Sequence, residues 1–264
     1  MSPLVSRILV AALLLPIVLG AVWLGGWWLT ALALAGGLVA VHELSVMARV
    51  QRPLVLAGFA GLTLTLVGAQ LGGPTWLLGG IMATVGLSFV QFLVSSARQA
   101  ATGAFAVTLL AVAWIGGGLG HLMLVRDLPG DGRLLIFALL FTVFADDTAA
   151  YVVGRAIGRR KLAPAISPGK SVEGFVGGTV AALAVMFFAL YEQDVLEIWE
   201  SLVLGLVIAL AATLGDLFES AVKRDLGVKD SGRILGGHGG VLDRVDSLLW
   251  AGPAAYYALL ALTG

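Results

Sequence analysis

Ser201-Leu-Val-Leu-Gly-Leu-Val-Ile-Ala-Leu-Ala-Ala-Thr-Leu-Gly-Asp-Leu-Phe-Glu-Ser-Ala-Val222 decides the fold: no charge occurs before Asp216. A helix needs about 20 mostly apolar residues to cross a bilayer, and this stretch supplies them. Similar stretches fall at 7–25, 27–48, 54–72, 75–95, 103–125, 133–154, 172–191 and 246–263. The sequence therefore predicts an all-α, polytopic integral membrane protein with about nine transmembrane helices. The apolar runs are continuous, without the inside/outside alternation of barrel strands, which excludes a membrane β-barrel.

Composition agrees. Of 264 residues, 59% are hydrophobic and 12% charged, and the mean hydropathy is +0.99. A soluble domain would carry about 25% charge. Sixteen Lys and Arg balance sixteen Asp and Glu, so there is no basic field for nucleic acid. The chain has no cysteine, which removes disulfides, thiolate nucleophiles and Cys-ligated metals.

With the N-terminus in the cytoplasm, fourteen of the sixteen Lys and Arg fall on the cytoplasmic side, and only Arg126 and Arg133 lie outside. The outer loops hold Asp127, Asp131, Glu192, Asp194, Glu197 and Glu200. This is a positive-inside distribution, and it predicts an odd number of spans. The first stretch reads as a signal anchor. Small-xxx-small pairs at Gly116/Gly120, Gly154/Gly158 and Gly174/Gly178 read as close helix packing. Polar residues concentrate late in the chain. Residues 1–140 read as transmembrane scaffold and 141–264 as the catalytic half of one continuous membrane domain.

Three segments carry the chemistry. Phe144-Ala-Asp-Asp-Thr-Ala-Ala-Tyr151 puts two acids in an apolar helix, which costs about 2.5–3.5 kcal/mol each near the bilayer centre and so marks a polar site. Ser167-Pro-Gly-Lys-Ser-Val-Glu-Gly174 reads as a loop opening the seventh span. It lacks the full phosphate-loop spacing, but a lysine at a helix N-terminus still suits phosphate. The third segment runs from Gly215 to Ser247. Asp216, Ser220 and Lys223 share one helix face there, with Glu219 beside them. Asp243 and Asp246 pair at i, i+3, and a glycine-rich turn with His238 lies between, flanked by Lys229, Asp230 and Arg233. Clustered carboxylates without cysteine suit a hard cation such as Mg²⁺, and the clustered cations suit several phosphates. Together they suggest metal-assisted phosphoryl or nucleotidyl transfer at one membrane face.

The run Ser220-x-Val-Lys-Arg-x₄-Lys-Asp-x-Gly-x₂-Leu-Gly-x-His-Gly-Gly-Val-x-Asp-Arg-Val-Asp246 resembles the signature of the phosphatidate cytidylyltransferases, or CDP-diacylglycerol synthases. Asp147-Thr-Ala-Ala-Tyr151 with Gly154-Arg155, and Ser167 to Gly174, resemble two further segments of that family. Val172 stands where the family often has an aromatic, and Asp146 is an additional acid beside the usual one. The resemblance implies CTP + phosphatidate → CDP-diacylglycerol + pyrophosphate, with Mg²⁺ and room for a second cation. It implies metal at Asp216, Asp243 and Asp246. Lys223, Arg224, Lys229 and Arg244 are expected on CTP phosphates or the lipid headgroup, and Ser220 on a phosphate oxygen. Asp147, Lys170, Ser171, Asp230, Arg233 and His238 complete the expected substrate site. The expected partners are CTP, phosphatidate and the bilayer, with a possible homodimer, in a bacterial inner membrane with the site facing the cytoplasm. His42 and His121 read as packing or interfacial residues; Glu43, near the inner end of the second span, could touch the site, with a packing role preferred.

Other readings of the same residues are a CTP-dependent polyprenol kinase, which would release CDP, and an ion-coupled transporter. The latter would place its acids near the midplane on broken helices.

Overall fold

A computed structural model describes residues 3–95, 101–193, 195–232 and 239–263. Arg98, Asp194, Arg233 and His238 lie outside the described residues. The chain runs α1 (Pro3–Leu24), α2 (Gly26–Met47), α3 (Val55–Val94), α4 (Ala101–Ala111), α5 (Gly117–Arg126), α6 (Gly132–Ile157), β1 (Lys161–Ala163), β2 (Ser167–Ser171), α7 (Val172–Leu190), α8 (Ile198–Asp225) and α9 (Leu242–Thr263). A π-helical turn, Val112–Gly116, joins α4 to α5. Seven helices among the described residues are long and apolar enough to cross a membrane. Large apolar side chains cover their outsides, as expected where the solvent is hydrocarbon rather than water.

α3 is a helical hairpin. Gly72 (φ −143°) and Gly73 (φ +65°) leave the helical region just before Pro74, where only glycine adopts the second conformation without strain. The two arms then fold back on one another. Gly61 faces Thr84, Gly80 faces the Thr65 backbone and Gly68 faces Trp76. Gln91 Oε1 accepts from the Ala57 N–H at 2.7 Å.

The glycine pairs seen in the sequence are packing faces. A Cβ at Gly174 would lie 2.6 Å from the Ala150 carbonyl oxygen and one at Gly178 2.8 Å from that of Asp146, so α6 and α7 touch along their backbones. Gly116 packs on Leu62 and Thr65, and Gly120 on Leu77. Where the driving force for helix association is packing rather than hydrophobic burial, such close approach is what holds the bundle. Gly118 does the same where α5 meets α9: a Cβ there would stand 2.6 Å from the Leu249 Cα. Gly118→Ala is expected to pry α5 from α9 and cost about 1–3 kcal/mol. The check is the thermal unfolding midpoint in detergent, and an unchanged midpoint contradicts this packing.

The expectation of an all-α chain needs one correction. The segment read as a loop before the seventh span contains an antiparallel hairpin, in which Lys161 pairs with Ser171 and Ala163 with Ser167. Outside the apolar spans, the backbone N–H and C=O groups of this connection satisfy one another across two short strands. Glu173 secures the approach by accepting from the Arg159 N–H at 3.0 Å and the Arg160 N–H at 3.2 Å.

The bundle is polarised along its length. Exposed Trp23, Trp27, Trp28, Trp76 and Trp199 lie at the helix ends away from Asp147, Asp216 and Asp243, in the manner of an interfacial aromatic belt. Arg126 closes that end, donating to the carbonyl oxygens of Val22 (2.8 Å) and Trp23 (2.9 Å). His121 is buried there against Tyr256 and Tyr257, which makes it a packing residue.

Candidate active site

At the other end, α6, α7, α8 and β2 enclose a cleft of about 580 Å³. Its walls include Asp146, Asp147, Tyr151, Arg155, Lys170, Ser171 and Asp216. α6 brings the two acids because its apolar face packs on α7 while its last turns are polar. β2 delivers Lys170, whose Nζ lies 2.8 Å from Asp216 Oδ2 on α8. Ser171 ends the strand and caps α7, its Oγ accepting from the Gly174 N–H at 3.1 Å.

α8 continues the site one turn further on. Ser220 donates to Asp216 Oδ1 at 3.3 Å. Lys223 donates to Glu219 Oε2 at 2.6 Å and to Asp243 Oδ1 at 2.7 Å, tying α8 to the first turn of α9. Glu219 is 1% exposed, so Lys223 supplies the partner that a buried carboxylate requires. Asp243 also accepts from the N–H groups of Ser231 (3.0 Å to Oδ2) and Gly240 (2.9 Å). Gly215 permits the close crossing: a Cβ there would lie 2.7 Å from the Asp246 carbonyl oxygen. Asp246 thereby faces Glu219 and shares an electrostatic neighbourhood with Asp216 and Asp147. Trp114 meets Phe218 edge-on and Phe218 meets Trp250 at a tilt, with centroids 4.8 and 5.3 Å apart.

The structure thus gathers Asp147, Lys170, Ser171, Asp216, Ser220, Lys223, Asp243 and Asp246. Arg224 lies outside this group and donates to the carbonyl oxygens of Ile166 and Val228, both at 3.4 Å. Lys229, Asp230 and Arg244 are exposed on the same end of the bundle.

Sequence reasoning weighed Glu43 as a residue that could touch the site and preferred a packing role for it. It sits in α2 at 3% exposure and accepts from the N–H groups of Val241 (3.0 Å) and Leu242 (2.9 Å) and from the Ser231 hydroxyl (3.3 Å). The available signal was its cost: an acid inside an apolar helix faces a partner or a polar cavity.

Among the described residues no three acid or imidazole side chains form a ready-made metal cage. The donor chemistry nevertheless fits Mg²⁺, which is commonly held by one or two carboxylates together with substrate phosphates. Asp216 and Asp246 can provide that pair. Asp243 has its oxygens engaged by Lys223, Ser231 and Gly240. Among the described residues, the buried Asp146 Oδ1 and Glu219 Oε1 find no hydrogen-bond partner.

Residues 5–262 match the model of the cytidylyltransferase family. The chain is 35% identical over 260 residues to a phosphatidate cytidylyltransferase of Staphylococcus haemolyticus, covering 97% of this chain and 99% of that one. It is 35% identical over 252 residues to the Staphylococcus aureus (strain COL) protein of that name, covering 94% and 95%. A Staphylococcus saprophyticus protein of the same name is 40% identical over 158 residues, 60% of each chain. With the family model spanning nearly the whole sequence, the chain belongs to the cytidylyltransferase family and is a nucleotidyltransferase.

Proposed function

We propose that this enzyme transfers CMP from CTP to phosphatidate, yielding CDP-diacylglycerol and pyrophosphate. The observation that carries the reading is the alternation of Lys170, Asp216, Lys223 and Asp246 between a cleft and the end of a lipid-facing helix bundle. The lipid's phosphate oxygen is already anionic, so it can attack the α-phosphorus of CTP without a protein nucleophile. The new P–O bond forms as the bond to pyrophosphate breaks. What the protein must do is hold two polyanions in line and offset their charge.

Lys170 in β2, just before α7, and Lys223 are placed to meet phosphate oxygens, each giving up part of its present carboxylate contact. Ser220 can donate to one of those oxygens. Asp216 and Asp246, with Asp147 nearby, would hold Mg²⁺, which would supply further charge neutralisation to the phosphates. In this reading the exposed Arg224, Lys229 and Arg244 surround the entrance.

Nine crossings are proposed: the seven long helices, with α3 contributing both arms, and α1. An N-terminus in the cytoplasm puts the site on the cytoplasmic face, supported by the cation asymmetry and by the tryptophans at the opposite end. The inner (plasma) membrane of a bacterium is the proposed location, and the bacterial origin of the staphylococcal relatives supports the bacterial part of it. A homodimer would need surfaces other than Gly116, Gly154 and Gly174, which pack within the chain.

The test is a reconstituted assay with labelled CTP and phosphatidate in vesicles. Pyrophosphate and lipid-linked CMP are expected in equal amounts, both lost on chelation and restored by Mg²⁺. Release of CDP instead would favour lipid phosphorylation, and no release of either would overturn the reading.

A further inference from the structure

Glu43 belongs to no segment that carries the family signature, yet its carboxylate is matched to the start of α9. The first N–H groups of a helix have no partner within it, and the helix dipole favours an anion beside them. In α9 those groups are Val241 and Leu242 N–H, and the anion comes from α2, 198 and 199 residues earlier. The Ser231 hydroxyl donates to Glu43 Oε2 and accepts from the Asp243 N–H, both at 3.3 Å. The Ser231 N–H in turn donates to the Asp243 carboxylate. The glycines nearby have the same cause. A Cβ at Gly232 would collide with the Glu43 carboxylate, and one at Gly240 would collide with it and with the Ser231 hydroxyl.

We infer that Glu43 is a positioning residue for the transfer reaction: it fixes the first turn of α9, and so sets Asp243 against Lys223 and Asp246 beside Asp216. The inference rests on the nucleotidyl transfer proposed for this site. Glu43 touches neither the cleft nor Lys223; it acts through Ser231 and the 240–242 backbone. Its geometry needs two acceptor oxygens. A glutamine offers one, and its NH₂ would face a backbone N–H with nothing to accept it.

Glu43→Gln is the test, in the full-length enzyme in lipid vesicles. Amide exchange at Val241 and Leu242 is expected to rise at least about tenfold while the rest of α9 and α2 is unchanged. kcat for pyrophosphate release should fall about tenfold or more, because small misplacements of reacting groups are costly. KM for CTP should stay within about twofold, since no nucleotide contact is removed. Ser231→Ala should lower kcat several-fold, and the double variant should be no slower than Glu43→Gln alone, because the two residues act through one linkage. Multiplicative losses in the double variant would overturn the inference, as would wild-type exchange at 241–242 or a wild-type kcat in Glu43→Gln. If Glu43→Gln fails to assemble, Ser231→Ala carries the same expectations at smaller size. If the wild-type enzyme releases no pyrophosphate, the proposed reaction fails, while exchange at Val241 and Leu242 still decides whether Glu43 holds the turn.

Discussion

Asp246→Ala should abolish formation of lipid-linked CMP, by at least about a thousandfold, while the protein still inserts and folds. The size follows from where Asp246 stands. It projects from the second turn of α9 toward Glu219, with Asp216 and Asp147 in its electrostatic neighbourhood. Its own Oδ1 accepts from the Ser247 N–H at 2.9 Å, and among the described residues its carboxylate forms no interhelical ion pair. The loss therefore falls on charge organisation around the reacting phosphates, where removing one preorganised group alone costs about 10²–10³ in rate. A carboxylate that also helps hold Mg²⁺ costs more. The folding side should move little, because relieving a crowded group of acids offsets the lost hydrogen bond. The measurement is pyrophosphate release per folded molecule, with folding followed by gel filtration in detergent. Turnover within tenfold of wild type would remove Asp246 from the machinery and shift the metal proposal elsewhere.

The spans and the main site were legible because each depends on local pattern. A run such as 201–222 needs no knowledge of its neighbours to be read as a crossing, and Asp216, Ser220 and Lys223 share a face by helical geometry alone. The glycine pairs were likewise readable as packing faces, although not which helices they join. What local pattern does not contain is the partner of a charged group. Lys223 reads as a phosphate ligand, but only the fold shows that α9 also sets Asp243 2.7 Å from it. Asp243 reads as a metal ligand, but only the fold shows that the Ser231 and Gly240 N–H groups also donate to its second oxygen. Glu43 lies in a stretch read as scaffold, and its purpose depends on backbone donors nearly two hundred residues later. The hairpin at 161–171 escaped for another reason: Ser167-Pro-Gly-Lys-Ser171 has little intrinsic strand preference. It pairs because the short link between α6 and α7 brings it back on itself.

Lys170 and Lys223 offer a contrast that separates chemistry from architecture. Both are expected on phosphates, yet their surroundings differ. The Lys170–Asp216 pair opens to the cleft, with the two side chains 26% and 31% exposed. Lys223 is 13% exposed, and its partners Glu219 and Asp243 are 1% and 11% exposed. An exposed pair contributes about 0–1 kcal/mol. Removing one member of a buried pair leaves uncompensated charge and costs about 3–5 kcal/mol. Lys223→Met strands two carboxylates at once and cuts the link between α8 and α9. It should therefore lower both the folded yield and the thermal midpoint, and reduce turnover by about a hundredfold or more in the fraction that folds. Lys170→Met should lower kcat/KM by a similar factor while leaving the midpoint near wild type, with the deficit showing chiefly in KM for CTP. The double replacement Lys223→Met with Glu219→Gln removes one stranded charge and should recover part of the midpoint without recovering turnover. Recovery of both together would make Lys223 a purely structural residue; recovery of the midpoint alone would make it a brace of the bundle and a ligand of the substrate at the same atom.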